Sequence, residues 1–140
     1  MEVNKLIGYT EITVQGEVIP IKMGSGALSL FCDEYGVKVH EIGSIFDVVE
    51  KDGKRFPIPV NSLKCLACAL WAGANHMRHR AGQPFYQISE AFDWVDEIGG
   101  PRSETASRVM ESLYNSIING GPVSVSEMGA GGGGRQKKRQ

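Results

Sequence analysis

Cys65-x-x-Cys68 and His76-x-x-His79 put four metal-ligand side chains within fifteen residues. Paired thiolates and imidazoles are the ligand set of tetrahedral zinc, which holds them at about 2.0 to 2.3 Å. The spacing argues against that chemistry. A zinc finger sets a loop between its two pairs so that both can converge. Here one unbroken helical pattern carries all four residues, and at about 1.5 Å of rise per residue the pairs lie about 16 Å apart along the axis. Cys65 and Cys68 then read as small packing residues and His76 and His79 as exposed, so no metal or cofactor is expected. The Cys pair also lacks the βαβ surroundings of a thioredoxin-type motif. Asp93, Asp96 and Glu97 read as a solvated helix face rather than an acid/base site. Gly24-Ser25-Gly26 lacks the lysine of a phosphate-binding loop, and no Ser, His and acid stand in a nucleophile motif. The chain reads as a non-enzyme.

The aromatic residues are better candidates for contact with a partner. At about 100° per residue, Trp71 and Trp94 each fall about 90 to 100° off the centre of their helices' apolar faces. They either complete the edge of the core or stand on its rim as interface anchors. Phe85 and Tyr86, in the neighbouring loop, would join such a partner-binding patch.

A chain of 140 residues, 41% of them hydrophobic, suits one domain with a modest core. Four of the 15 basic residues (Arg135, Lys137, Lys138 and Arg139) lie in the last twelve positions, which hold no acid. The body is therefore acidic, with 16 acids against the other 11 bases. That balance disfavours specific nucleic-acid binding. Cys32, Cys65 and Cys68 are odd in number and sit in apolar stretches, as reduced thiols of a cytoplasmic protein would. The start has no apolar core of signal-peptide length, and no segment approaches the roughly 20 apolar residues of a membrane span. A cytoplasmic protein without membrane contact is expected.

The elements that must position these residues form an α+β, mainly helical fold. A two-residue turn at Gln15-Gly16 pairs Val14 with Glu17, Ile12 with Ile19 and Thr10 with Ile21. Ile12, Val14, Ile19 and Ile21 then share one face, which must lie on helices because two strands alone are marginal in water. A small bundle of four to five helices follows. The first runs from an N-cap at Ser25 to Gly36. A second runs from Ser44 to Asp52-Gly53 on the stripe Ile45, Val48, Val49, and Lys54–Val60 reads as an extended loop because of its two prolines. The third and longest spans about Asn61 to Arg80, with Leu63, Leu66, Ala67, Leu70, Ala74 and Met77 inward. The fourth starts at an N-cap, Ser89, and buries Ile88, Ala91, Phe92, Val95 and Ile98. Pro101 opens the fifth, which buries Ala106, Val109, Met110, Leu113 and Ile117. Residues 1–119 make the domain, and 120–140 a flexible, disordered, Gly-rich basic tail.

Several segments together resemble the tail assembly chaperones of long-tailed bacteriophages and related prophages. They are the strand pair with a Pro in its second strand, Gly24-Ser25-Gly26-Ala27-Leu28-Ser29-Leu30-Phe31, the run Leu66-Ala67-Cys68-Ala69-Leu70-Trp71-Ala72-Gly73, and Ser89-Glu90-Ala91-Phe92-Asp93-Trp94-Val95-Asp96-Glu97. The match covers about residues 9–119. The Lys51–Val60 loop and His76–Arg80 depart from the pattern. The resemblance implies a protein with no catalytic residues that binds the long apolar helices of a tape measure protein, in the host cytoplasm, until tail tube protein polymerises around them. It implies a longer form made by ribosomal frameshifting near Gly131–Arg139 that recruits tube protein; an ordinary basic terminus is the other reading of that segment. Self-association is a further partner reading. The rival functions are a structural tail or neck component that stays in the virion and a small zinc- or nucleic-acid-binding regulator.

Overall fold

The structure is a computed structural model that describes residues 8–120. It has the expected class, a β-hairpin followed by helices. Strands β1 (Tyr9–Val14) and β2 (Glu17–Lys22) pair in the register read from the sequence, Ile12 with Ile19 and Thr10 with Ile21. Gln15 and Gly16 take φ of 52° and 82°, the two left-handed positions of a turn whose twist matches the strands. Met23 N–H donates to Gly8 O at 3.0 Å, which extends the ladder and fixes its phase. Pro20, opposite Glu11, thus occupies a pair without hydrogen bonds, where a missing N–H costs nothing.

The helices are α1 (Ser25–Tyr35), α2 (Ser62–Arg80), α3 (Ile88–Glu97) and α4 (Glu104–Gly120), with a 3₁₀ turn at Val39–Ile45. Helix α2 is the platform of the fold. Residues 65–70 and 72–75 are all buried, because β2, α1, α3 and α4 pack around it. Gly73 explains how close β2 comes. A Cβ there would collide with the Ile21 side chain, so glycine, though weak in a helix, lets strand and helix touch backbone to side chain. Asn61 caps α2, its Oδ1 accepting from Lys64 N–H at 3.1 Å.

Several expectations need correction. Residues 46–51 form strand β3 (Phe46–Lys51), not a helix, and Lys54–Pro59 is its antiparallel partner β4 rather than a loop. Asp52 and Gly53 take φ of 55° and 76° and close this second hairpin with the same turn as the first. The cap of α1 is Gly24 rather than Ser25. The cap of α3 is Gln87 rather than Ser89, with the Glu90 carboxylate accepting from Gln87 N–H at 2.9 Å. Helix α4 starts after Ser103, whose hydroxyl accepts from Ala106 N–H at 3.1 Å, so Pro101 lies in the turn before it. Leu63 and Phe92, read as core residues, are 46% and 38% exposed. Helix α4 reaches Gly120, and the tail beyond lies outside the described residues.

Candidate functional site

Trp71, Phe85, Tyr86 and Trp94 do come together, but as a clasp rather than an open patch. Helix α2 turns back at Gly82, and the following segment lies along the face of α2 that carries Trp71, Asn75 and Arg78. Asn75 is fully buried. Its Oδ1 accepts from Tyr86 N–H at 2.7 Å, and its Nδ2 donates to Tyr86 O at 3.2 Å. Trp71 Nε1 donates to the same carbonyl at 2.9 Å. The Tyr86 ring meets Trp94 edge-to-face at 4.8 Å and takes the Arg78 guanidinium 4.0 Å from its centroid. Trp94 is 4% exposed and joins the core, so the rim reading fails for it in this fold. Trp71 is half-buried. Phe85 alone of the four is an exposed aromatic, edge-to-face with Trp71 at 6.3 Å. Asn75 organises the group. Its signal in the sequence was a single amide at the end of the apolar run Leu66 to Ala74, two residues after Gly73.

The open apolar surface lies beside this clasp, nearer the start of α2. A groove of about 340 Å³ runs between the ends of α1, α2 and α3, lined by Glu34, Leu63, Lys64, Cys68, Ile88 and Phe92. Each wall has a local cause. Leu63 sits in the first turn of α2 and keeps the apolar stripe going where the α2 surface stays uncovered. Ile88 and Phe92 are one turn apart on α3 and share a face. Cys68 is buried below, its thiol pushed up to about 11 by burial, then by Glu34, with Lys64 pulling the other way. Such a thiol stays protonated and apolar in character at neutral pH. The Lys64 ammonium lies 4.3 Å over the Tyr35 ring, a cation–π contact that holds it at the groove's edge. The arrangement can take apolar side chains between one cation and one carboxylate.

The chain matches no protein-family model, and no curated protein or solved structure shows significant similarity to it.

Among the described residues no three His, Cys, Asp or Glu side chains stand together as a metal-binding group. Cys65 and Cys68 are buried. His76 stands instead against the start of α1, where a Cβ on residue 26 would lie 2.6 Å from its ring. Burial first, then Lys22, Arg80 and His79, holds this imidazole below its ordinary value. No helix of the described residues is long and apolar enough to cross a membrane.

Proposed function

We propose that this chain is a non-enzymatic assembly chaperone of a bacteriophage tail. It covers apolar helical segments of a tape measure protein in the host cytoplasm until tail tube protein polymerises around them. The observation that carries the reading is the groove at Leu63, Ile88 and Phe92, with Lys64 and Glu34 at its edge. An amphipathic helix inserts side chains at i, i+3 and i+4 into such a surface. A site this small gives modest affinity per copy, which suits a cover that must leave. Many copies along one long chain supply the avidity. The tail at 131–139 supports, in this reading, a frameshifted extension that recruits tube protein.

The experiment is co-expression with a tape measure protein, or with a synthetic amphipathic helix drawn from one. Leu63→Ser and Phe92→Ser together should leave the fold intact and abolish recovery of soluble partner. Phe85→Ser, outside the groove, should have little effect. Retained solubilisation by the groove variant would overturn the assignment of the surface. Failure of the wild type to hold any such helix in solution would overturn the function.

A further inference from the structure

The phase of the second hairpin decides which of its edges is open. Val60 N–H donates to Ile45 O at 2.9 Å. In an antiparallel ladder hydrogen-bonded and non-bonded pairs alternate. Given the register, the pairs 47/58, 49/56 and 51/54 are therefore bonded. The residues between them, Phe46, Val48 and Glu50 on β3 and Arg55, Pro57 and Pro59 on β4, turn their backbone groups outward. On β4 two of those three positions are proline and have no N–H to give, so that edge rejects another strand. On β3 the Phe46 N–H is taken by Gly43 O, while the outward N–H and C=O of Val48 and Glu50 have no backbone partner among the described residues. Among the described residues no third strand pairs with β3. The first hairpin differs, since α3 and α4 pack beside β1.

The charges on the outer face are self-complementary. Asp47, Val49 and Lys51 of β3 and Ile58, Phe56 and Lys54 of β4 all point outward and are all exposed. The face is acidic at its base, apolar in its middle and basic at its turn. Val49, Phe56 and Ile58 are each 44 to 46% exposed, on a hairpin that two strands alone would hold only marginally.

We propose that a second copy of this chain adds its own β3 to this edge, antiparallel, about a two-fold axis at Val48. Each Val48 then bonds its counterpart, and Phe46 stands across from Glu50 of the partner subunit. On the outer face Asp47 stands across from Val49 of the partner subunit. It is diagonal to both Lys51 of the partner subunit and Asp47 of the partner subunit, about 7 to 8 Å between backbones. Two Asp–Lys pairs thus outweigh the single Asp–Asp approach, because the long lysine side chains can close the gap and the short aspartates need not. The contact is isologous, so both ion pairs form at once. The result is a four-stranded sheet with proline-blocked outer edges and with Val49, Phe56 and Ile58 of both copies on one face. The groove at Leu63 and Phe92 plays no part in this pairing, so the proposal stands or falls apart from the chaperone reading.

Sedimentation equilibrium of the full chain over a range of concentrations tests it. The wild type should dimerise reversibly. Asp47→Lys and Lys51→Asp should each raise the dissociation constant by about tenfold, because each sets like charges diagonally across the new strand pair. An equimolar mixture of the two variants should dimerise again, since each supplies the sign the other lacks. Val48→Pro removes an outward donor without touching the hairpin's own ladder, so it should be monomeric with unchanged circular dichroism. A wild type that stays monomeric, or a wild-type dimer whose charge variants do not re-pair on mixing, would overturn the proposal.

Discussion

The two hairpins are built alike and used differently. Each has two six-residue strands closed by a left-handed pair of residues, Gln15-Gly16 or Asp52-Gly53. Each places its prolines at pairs without hydrogen bonds. The first lays Ile12, Ile19 and Ile21 on the helices, β2 on α2 and β1 beside α3 and α4, where all three are buried, and Gly73 lets β2 settle close. The second buries Phe46 at its base and leaves Val49, Phe56 and Ile58 in solvent. A hairpin is thus a neutral local solution. What turns it into core or into surface is whether a helix offers a face narrow enough to receive it.

Truncating one apolar residue in each hairpin should give the largest contrast. Ile21→Ala should cost about 2 to 5 kcal/mol, the range for a fully buried aliphatic side chain, whereas Phe56→Ala should cost about 1 kcal/mol or less. Denaturant unfolding of both measures the contrast, and equal losses would mean the second hairpin is covered. Next in size is the clasp. Asn75→Ala leaves the Tyr86 N–H without a partner, worth about 1 to 3 kcal/mol. Hydrogen exchange at Tyr86 should rise far more than at Ile12 or Ile21.

A smaller effect depends on pH and belongs to the covered side. His76 packs against α1 near Lys22 and Arg80, and its folded-state pKa lies below its unfolded value. Between the lowered value and about 6.5 the unfolded chain binds the proton and the folded chain does not. Stability is therefore whole above about 6.5 and declines as the pH falls through that window. His76→Gln should flatten this part of the stability profile; an unchanged slope would remove the role. The smallest effect is expected from Leu63→Ser, which should shift stability by about 0.5 kcal/mol or less while weakening the hold on an apolar helix.

Much of this was legible in the sequence, and the failures have physical causes. Ile12, Val14, Ile19 and Ile21 alternate around a two-residue turn, and only one register buries them together. In the second hairpin Ile45, Val48 and Val49 also fit helical spacing, and Pro57 and Pro59 seemed to forbid a strand. The Asp52-Gly53 pair was the missed cue, since that dipeptide is among the strongest signs of a tight hairpin turn. Helix α2 was plain from its periodicity. Which flank of it stays open was not, because that depends on where α1 and α3 end. Leu63 and Phe92 therefore read as core. Trp94 read as a rim candidate from its angle on α3 alone, but the Tyr86 segment folds back to meet it, an arrangement set by Asn75, eleven residues before Tyr86 along the chain.

The seating of Ile21 against Gly73 also sets an order in time. A ribosome completes β2 at Lys22 but does not finish the platform helix until Arg80, and roughly 60 residues at about 5 to 20 per second take about 3 to 12 s. For that interval the nascent chain carries an apolar hairpin face whose receptor has not yet been made. The second hairpin closes within its own few residues and needs no such wait. The isoleucine face that ends as the best-protected part of the molecule is, during synthesis, the part longest in need of shelter.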